Sequence, residues 1–150
     1  GKGGKNGGFP HHVVVRNCTV RKGHNLAAIG SELSGGVRNV WMTRCTVQDT
    51  YSMLRIKTGR RRGGFVENVY ISDIDTEDIR DAVFGLKTDV LYQWANFPDY
   101  ELRPTRIRNV NVSDVHAVSA DYGLDVTAAE EAHAILERGE NRGKVVLTVG

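Results

Sequence analysis

Four segments of the chain align without gaps: His12-Val-Val-Val-Arg-Asn-Cys-Thr-Val20, Asn39-Val-Trp-Met-Thr-Arg-Cys-Thr-Val47, Asn68-Val-Tyr-Ile-Ser-Asp-Ile-Asp-Thr76 and Asn109-Val-Asn-Val-Ser-Asp-Val-His-Ala117. The second position of each segment is a valine, and the position two residues further on is Val15, Met42, Ile71 or Val112. Apolar residues two apart are typical of a β-strand, whose side chains alternate between two faces. The alignment therefore predicts one strand in each of four repeats.

The spacing of the repeats indicates a solenoid. The aligned valines at 13, 40, 69 and 110 are 27, 29 and 41 residues apart, which fits two regular coils and one with an insertion. A second short strand is predicted in each repeat, at Ala27–Ile29, Leu54–Ile56, Phe84–Leu86 and Tyr122–Leu124. The connections 21–38 and 48–66 show no helical periodicity, although an ordinary parallel sheet needs helical crossovers. We expect an all-β parallel β-helix, in which stacked coils bury one continuous apolar column.

Two further columns follow from this register. Asn39, Asn68 and Asn109 align, so their amides are predicted to form a ladder across the coils, or alternatively to act only as turn formers. Cys18 and Cys45 also align, and we expect buried small apolar side chains, with a disulfide as the alternative. Neither cysteine has a CxxC partner, so no metal site is expected.

The rhythm changes twice. Residues 88–104 contain aromatics and two prolines and are predicted to be a long loop inserted between the third and fourth coils. Residues 128–139 have the pattern of an amphipathic helix that ends at Gly139, and residues 141–149 that of a strand. We therefore expect β-helix coils over 1–125 and a tail of different character, a C-terminal helix and strand, over 126–150. The tail is either an end cap or a fusion.

Composition excludes several classes of function. The net charge of +2, with scattered arginines, argues against a nucleic-acid partner. No apolar run approaches the roughly 20 residues that cross a bilayer, so no membrane partner is expected. The opening GKGGKNGG lacks the GxxxxGK[ST] ending of a phosphate loop, and no cofactor is expected.

Three motifs resemble glycoside hydrolase family 28, the polygalacturonases. Lys22-Gly-His-Asn-Leu-Ala-Ala-Ile-Gly-Ser31 is similar to the family's GHG motif followed by an IGS strand. Leu54-Arg-Ile-Lys-Thr58 matches its RIK motif, and Arg61-Arg-Gly-Gly-Phe-Val-Glu-Asn68 resembles its glycine-rich turn into the next coil. The resemblance covers about residues 1–117 and implies a right-handed parallel β-helix.

The resemblance also implies an activity. The family hydrolyses α-1,4-linked galacturonic acid with inversion, which requires one carboxyl as general acid and another as general base. In the family these acids lie in NTD and DD motifs that precede GHG. Neither NTD nor GDD occurs in this sequence. The chain is therefore expected to be a piece that begins just after the DD strand, and to be inactive in isolation.

Three site residues are carried over by motif. His24 takes the place of the histidine that holds the acid pair, and Arg55 and Lys57 take the places of the residues that bind the substrate carboxylate. Strand alternation agrees, because an inward Ile56 would leave residues 55 and 57 pointing outward. Two adjacent cations suit a uronate. We expect all three side chains on one exposed face of neighbouring coils.

Two departures from the family pattern accompany these matches. Asn25 stands where the family has the second glycine of GHG, and Phe84-Gly85 where many members have Tyr-Gly. The acidic residues nearest the motifs in sequence are Glu32, Asp49 and Asp81. The expected partner is an acidic polysaccharide, galacturonan or oligogalacturonate, and a non-catalytic β-helix module that binds such a polymer is the alternative function. Residues 126–150 resemble the C-terminal end of medium-chain quinone oxidoreductases, but no GxGxxG follows a strand, so oxidoreductase activity is not expected.

Overall fold

The computed structural model describes residues 11–90 and 102–127. Its strands are, in chain order, β1 (His11–Arg16), β2 (Thr19–Arg21), β3 (Asn25–Ile29), β4 (Val37–Thr50), β5 (Ser52–Lys57), β6 (Phe65–Lys87), β7 (Arg106–Ala117) and β8 (Ala120–Thr127). Every strand pairing is parallel. No helix within these residues is long and apolar enough to cross a membrane.

The strands stack as coils of a parallel β-helix. One face is the series β1, β4, β6, β7, in sequence order. Another is the series β3, β5, the end of β6, β8. The repeats predict strands over 12–20, 37–47, 65–76 and 105–117, stacked in chain order. This stacking is confirmed. The inserted loop lies mostly outside the described residues. The predicted tail over 126–150 also lies outside them, except for Val126 and Thr127, which belong to β8.

The core is the apolar column that the repeats predicted. Val13, Val40, Val69 and Val110 are partners in one register. Val69 is fully buried and Val40 is 3% exposed, whereas the other two valines, in the outer described coils, are partly buried. Because each fully buried aliphatic side chain contributes roughly 1.5–3 kcal/mol, stacking the coils is the main source of stability.

The corners of the coils use a conformation that most side chains avoid. Among the described residues, the non-glycine residues with positive φ form three columns, which are His12, Asn39, Asn68 and Asn109; Asn17, Arg44, Asp73 and Asp114; and Lys22, Asp49 and Asp78. Their φ values lie between 48° and 59°. Asn and Asp tolerate this left-handed region best, because their short polar side chains can hydrogen-bond locally. The sharp corners let β4 and β6 continue for 14 and 23 residues, longer than the short strands predicted.

The predicted asparagine ladder is present. Asn68 Nδ2 donates to Asn39 Oδ1 at 2.9 Å, and Asn109 Nδ2 donates to Asn68 Oδ1 at 2.8 Å. Asn109 Nδ2 also lies 2.6 Å from the Tyr70 hydroxyl oxygen. The ladder satisfies partly buried amides at the same corners that need positive φ, so one residue type meets both requirements.

The cysteine prediction is half wrong. Both thiols are free, and Cys45 is buried as expected, but Cys18 is exposed. Cys45 pairs in register with Ile74, whose next partner is Val115, so its side chain lies in the apolar column. Cys18 lies in the first described coil and has a described neighbour on one side only, so its thiol is not enclosed.

Candidate functional site

The two motif strands lie side by side on one surface. We call the surface formed by β3, β5, residues 82–87 of β6 and β8 the site face. In its central column Ala28, Arg55, Gly85 and Asp125 are partners in register. Two residues further along these strands, Lys57 pairs with Lys87, and Lys87 pairs with Thr127.

Ile56 points into the core, as predicted, and is fully buried. Arg55 is not exposed as expected, since only 7% of its surface is accessible. Its Nη1 donates to an Asp81 carboxylate oxygen in an ion pair and lies 3.3 Å from Ser52 Oγ. Its guanidinium carbon lies 5.1 Å from the centre of the Tyr51 ring, within cation–π range. Tyr51 and Asp81 therefore cover the cation, and the prediction of an exposed Arg55 is wrong.

A β-bulge brings Asp81 to this position. Thr50 pairs with Ile79, an offset of 29 residues, but Leu54 pairs with Phe84, an offset of 30. The third coil thus contains one extra residue between Ile79 and Phe84, and the register against β8 shifts over the same stretch. Bulges re-aim side chains and are common beside functional sites. Here the bulge directs the Asp81 carboxylate toward Arg55.

His24 lies one coil before Tyr51. The imidazole is exposed and stacks on the Tyr51 ring, with centroids 5.0 Å apart and planes 5° apart. The His24 carbonyl oxygen accepts hydrogen bonds from the backbone N–H groups of Tyr51 and Ser52, at 3.0 and 3.1 Å. Tyr51 thereby contacts both His24 and Arg55, and links the GHG-like turn to the RIK strand.

Beside this cluster the surface carries two more cations. Lys57 is half-buried, and within residues 11–90 and 102–127 it forms no ion pair. Lys87, in the next coil, has its Nζ 3.5 Å from Asp125 Oδ2, with the two side chains 35% and 26% exposed. Arg55, Lys57 and Lys87 thus concentrate positive charge on two consecutive coils, balanced in part by Asp81 and Asp125.

The structure separates the other acidic candidates. Asp49 is one of the positive-φ corner residues, and its Oδ1 lies 3.6 Å from Arg80 Nε in an exposed ion pair. Glu32 is half-buried in the connection after β3 and takes part in no ion pair among the described residues. Asp81 is the acidic residue that contacts Arg55.

Of the two residues Phe84 and Gly85, Phe84 has a structural role. Phe84 is 5% exposed and belongs to the core, where it is the partner of Leu54 and Leu124. A Cβ added at Gly85 would lie 3.7 Å from Arg55 Cγ and Cζ, which is ordinary van der Waals contact. The Arg55 side chain therefore does not require glycine at position 85.

Reasoning from sequence missed two contributors and left a third open. Tyr51 and Lys87 were not singled out, and Asp81 was named only by its nearness in sequence. The offsets of 27 and 30 residues would have placed Tyr51 beside His24 and Lys87 beside Lys57. The bulge that aims Asp81 has no sequence signal that we recognise. Among the described residues no cluster of three or more His, Cys, Asp or Glu side chains could hold a metal ion.

Comparisons with known proteins identify relatives of this chain. The sequence model of glycosyl hydrolases family 28 matches residues 4–134. A polygalacturonase of Penicillium griseoroseum is 26% identical over 120 residues, which is 80% of this chain and 31% of that protein. A probable polygalacturonase of Vitis vinifera is 30% identical over 92 residues, which is 57% of this chain and 19% of that protein.

The fold has a counterpart of known structure. The crystal structure of a hyperthermoactive exopolygalacturonase from Thermotoga maritima superposes with a TM-score of 0.70 and 27% sequence identity, over 81% of this chain and 27% of that one. The chain spans less than a third of the length of each of these relatives. The resemblance of residues 126–150 to a quinone oxidoreductase gains no support from these comparisons. With the family's sequence pattern extending over most of its length, the chain belongs to glycosyl hydrolases family 28.

Proposed function

We propose that this chain supplies the carboxylate-binding coils of a glycosidase that acts on α-1,4-galacturonan by inverting hydrolysis. The observation that carries the proposal is the cluster in which Tyr51 stacks on His24 and contacts Arg55, with Lys57 two residues further along β5. Support for the substrate comes from the relatives described as polygalacturonases and from the positive charge of the site face.

Arg55 retains donors for a ligand although it is buried. A guanidinium has five N–H groups, and Asp81 and Ser52 engage those on Nη1. Nε and Nη2 form no hydrogen bond within the described residues. A uronate carboxylate that meets these two nitrogens would form the bidentate pair for which Arg is suited. Asp81 fixes the position of the Arg55 guanidinium group. Lys57, which forms no ion pair among the described residues, provides a second positive charge beside it.

The chemical step needs two carboxyl groups on opposite sides of the scissile bond. Asp81 already accepts a hydrogen bond from Arg55, and Asp49 lies at a corner with Arg80. Each of these carboxylates is thus engaged with an arginine through one oxygen. In the proposal His24 orients an acid pair contributed by NTD and DD motifs, which this sequence does not contain. The 150-residue chain should therefore bind galacturonan without cleaving it.

A second candidate is a non-catalytic β-helix module that binds acidic polysaccharide. Such a module needs only the cations of the site face, Arg55, Lys57 and Lys87, and no carboxyl pair. Both candidates use the same cations, and they differ in whether a carboxyl pair ever stands beside His24. Joining this chain to family coils that carry NTD and DD would distinguish them, because the glycosidase proposal expects hydrolysis that is lost on His24→Ala.

Binding is tested by titrating the chain with oligogalacturonate at two salt concentrations. We expect weak binding that falls several-fold between about 0.05 and 0.5 M salt, because the partly exposed Lys57 is screened over a Debye length of roughly 4–14 Å. Lys57→Gln should weaken it further, and Arg16→Gln, which removes one charge on another face, should not. Binding that is equal for oligogalacturonate and a neutral oligosaccharide would contradict the proposal.

Hydrolysis is tested by the release of reducing ends from polygalacturonate. The isolated chain should give no more than a buffer blank. Release above the blank that disappears in Arg55→Ala would show that an acid and a base are already present, and would direct attention to Asp81 and Asp125.

A further inference from the structure

Lys57 and Lys87 are neighbours on adjacent strands of the site face. They are partners in register between β5 and β6, so their backbones lie about 4.8 Å apart, the usual spacing of paired strands. Like charges directly opposite each other destabilise a sheet. This pair lies on a face that also carries Arg55, and no ion-pair partner of Lys57 lies among the described residues.

The two lysines differ in how they are neutralised. Lys87 Nζ lies 3.5 Å from Asp125 Oδ2, which engages one of its three donors. Lys57 forms no ion pair within residues 11–90 and 102–127. The lysine pair with Asp125 therefore carries an excess of one positive charge. An anion placed between the two ammonium groups would neutralise it.

We infer that Lys87 forms with Lys57 a second carboxylate position, one coil beyond Arg55, so that the site binds two consecutive uronates. The inference rests on the proposed function for the identity of the ligand. A pyranose unit is about as long as the spacing between coils, so successive uronates along a chain parallel to the solenoid axis meet successive coils. The first carboxylate meets the Nε and Nη2 of Arg55. The second meets Lys57 and Lys87, while Asp125 orients the Lys87 ammonium.

The arrangement has a consequence for ligand size. A monomer can satisfy one of the two positions, whereas a dimer satisfies both with a single loss of translational freedom, so the second carboxylate adds affinity. Partly exposed ion pairs are modest, and we expect digalacturonate to bind about 5- to 10-fold more tightly than monogalacturonate. Lys87, and not Lys57 alone, should set that ratio.

The test is a titration of the full chain with monogalacturonate, digalacturonate and the dimethyl ester of digalacturonate. Changes in the amide NMR shifts give the affinity for each ligand. In Lys87→Gln the preference for digalacturonate over monogalacturonate should fall to about 2-fold or less, because only the Arg55 position remains intact for either ligand. Lys87→Arg, which keeps the charge, should retain most of the preference. Arg16→Gln, with the same loss of charge on the β1 face, should leave the ratio unchanged. The circular dichroism of each variant verifies folding.

The outcomes separate the two proposals. If monogalacturonate and digalacturonate bind wild type equally, or if Lys87→Gln keeps the full ratio, the second carboxylate position is wrong and the proposed function stands. If the dimethyl ester binds as well as digalacturonate, carboxylate recognition is wrong at both positions. If wild type binds none of the acids, the proposed function itself fails.

Discussion

Two polar columns run along this solenoid, and they are built in opposite ways. The corner column repeats one residue, with Asn39, Asn68 and Asn109 joined amide to amide at 2.9 and 2.8 Å. The site face changes residue at every coil, from Ala28 to Arg55, Gly85 and Asp125. Beside it lie the His24–Tyr51 stack and the ion pair of Arg55 with Asp81 from the bulged third coil. One column is neutral and self-satisfied, and the other is charged and leaves cationic donors available.

The difference lies in which contacts recur from coil to coil. The three asparagines have φ of 57°, 55° and 53°, but Lys22 and Arg44 adopt the same left-handed conformation in the other corner columns, so positive φ alone does not select asparagine. The amide ladder does, because each asparagine meets another asparagine in the next coil. Recurrence in this solenoid thus marks a contact that repeats between coils, whereas the residues of the site face differ from coil to coil.

The largest expected effect comes from removing one partner of the Arg55–Asp81 ion pair. Arg55→Ala leaves the Asp81 carboxylate, whose side chain is 17% exposed, without its cation. Breaking a buried ion pair costs about 3 kcal/mol because the remaining charge is uncompensated. We expect a loss of that order in the free energy of unfolding, measured by urea titration.

The double variant Arg55→Ala/Asp81→Ala is the control for this loss. Removing both charges should recover part of it, because no unpaired carboxylate remains. Strictly additive losses in the two single variants and the double variant would mean that the pair does not interact in solution.

The ladder should respond less strongly. Asn68→Ala removes the middle amide, which donates to Asn39 and accepts from Asn109, and should cost about 1–3 kcal/mol. Asn68→Gly is the matched control, since glycine adopts φ of 55° without strain but cannot form the ladder. The glycine variant should therefore lose less stability than the alanine variant. A glycine variant as stable as the wild type would mean that these asparagines are turn formers only.

The smallest expected loss of stability is at Tyr51, where stability and ligand binding can be measured separately. Tyr51→Leu keeps apolar bulk but removes the stack on His24 and the cation–π contact with Arg55, for about 1 kcal/mol. Trp41→Leu removes a comparable stack, with Tyr70 at 5.8 Å, on the β4–β6 face. Both variants should lose similar stability, yet only Tyr51→Leu should weaken oligogalacturonate binding. Equal binding by the two variants would remove Tyr51 from the site.

Much of the fold could be predicted because it consists of repeated coils with the same pattern of residues. The valine column, the parallel order and the asparagine ladder all follow from residues that recur at one register, where each coil imposes the same physical demand. The site residues were predicted only as motif positions. The burial of Arg55 depends on one extra residue in the third coil, and neither periodicity nor composition reports a bulge. The exposure of Cys18 depends on which neighbour covers it, which a column of similar residues does not reveal.

The most direct test of the account maps where digalacturonate perturbs the backbone amides of the 15N-labelled chain. The account predicts shifts concentrated at residues 51–57 and 84–87, with smaller ones at 24–29, and none at the corner amides of Asn39, Asn68 and Asn109. Shifts confined to the β4–β6 face around Trp41 and Tyr70, or spread evenly over the molecule, would contradict the claim that the variable column of this solenoid is its binding site.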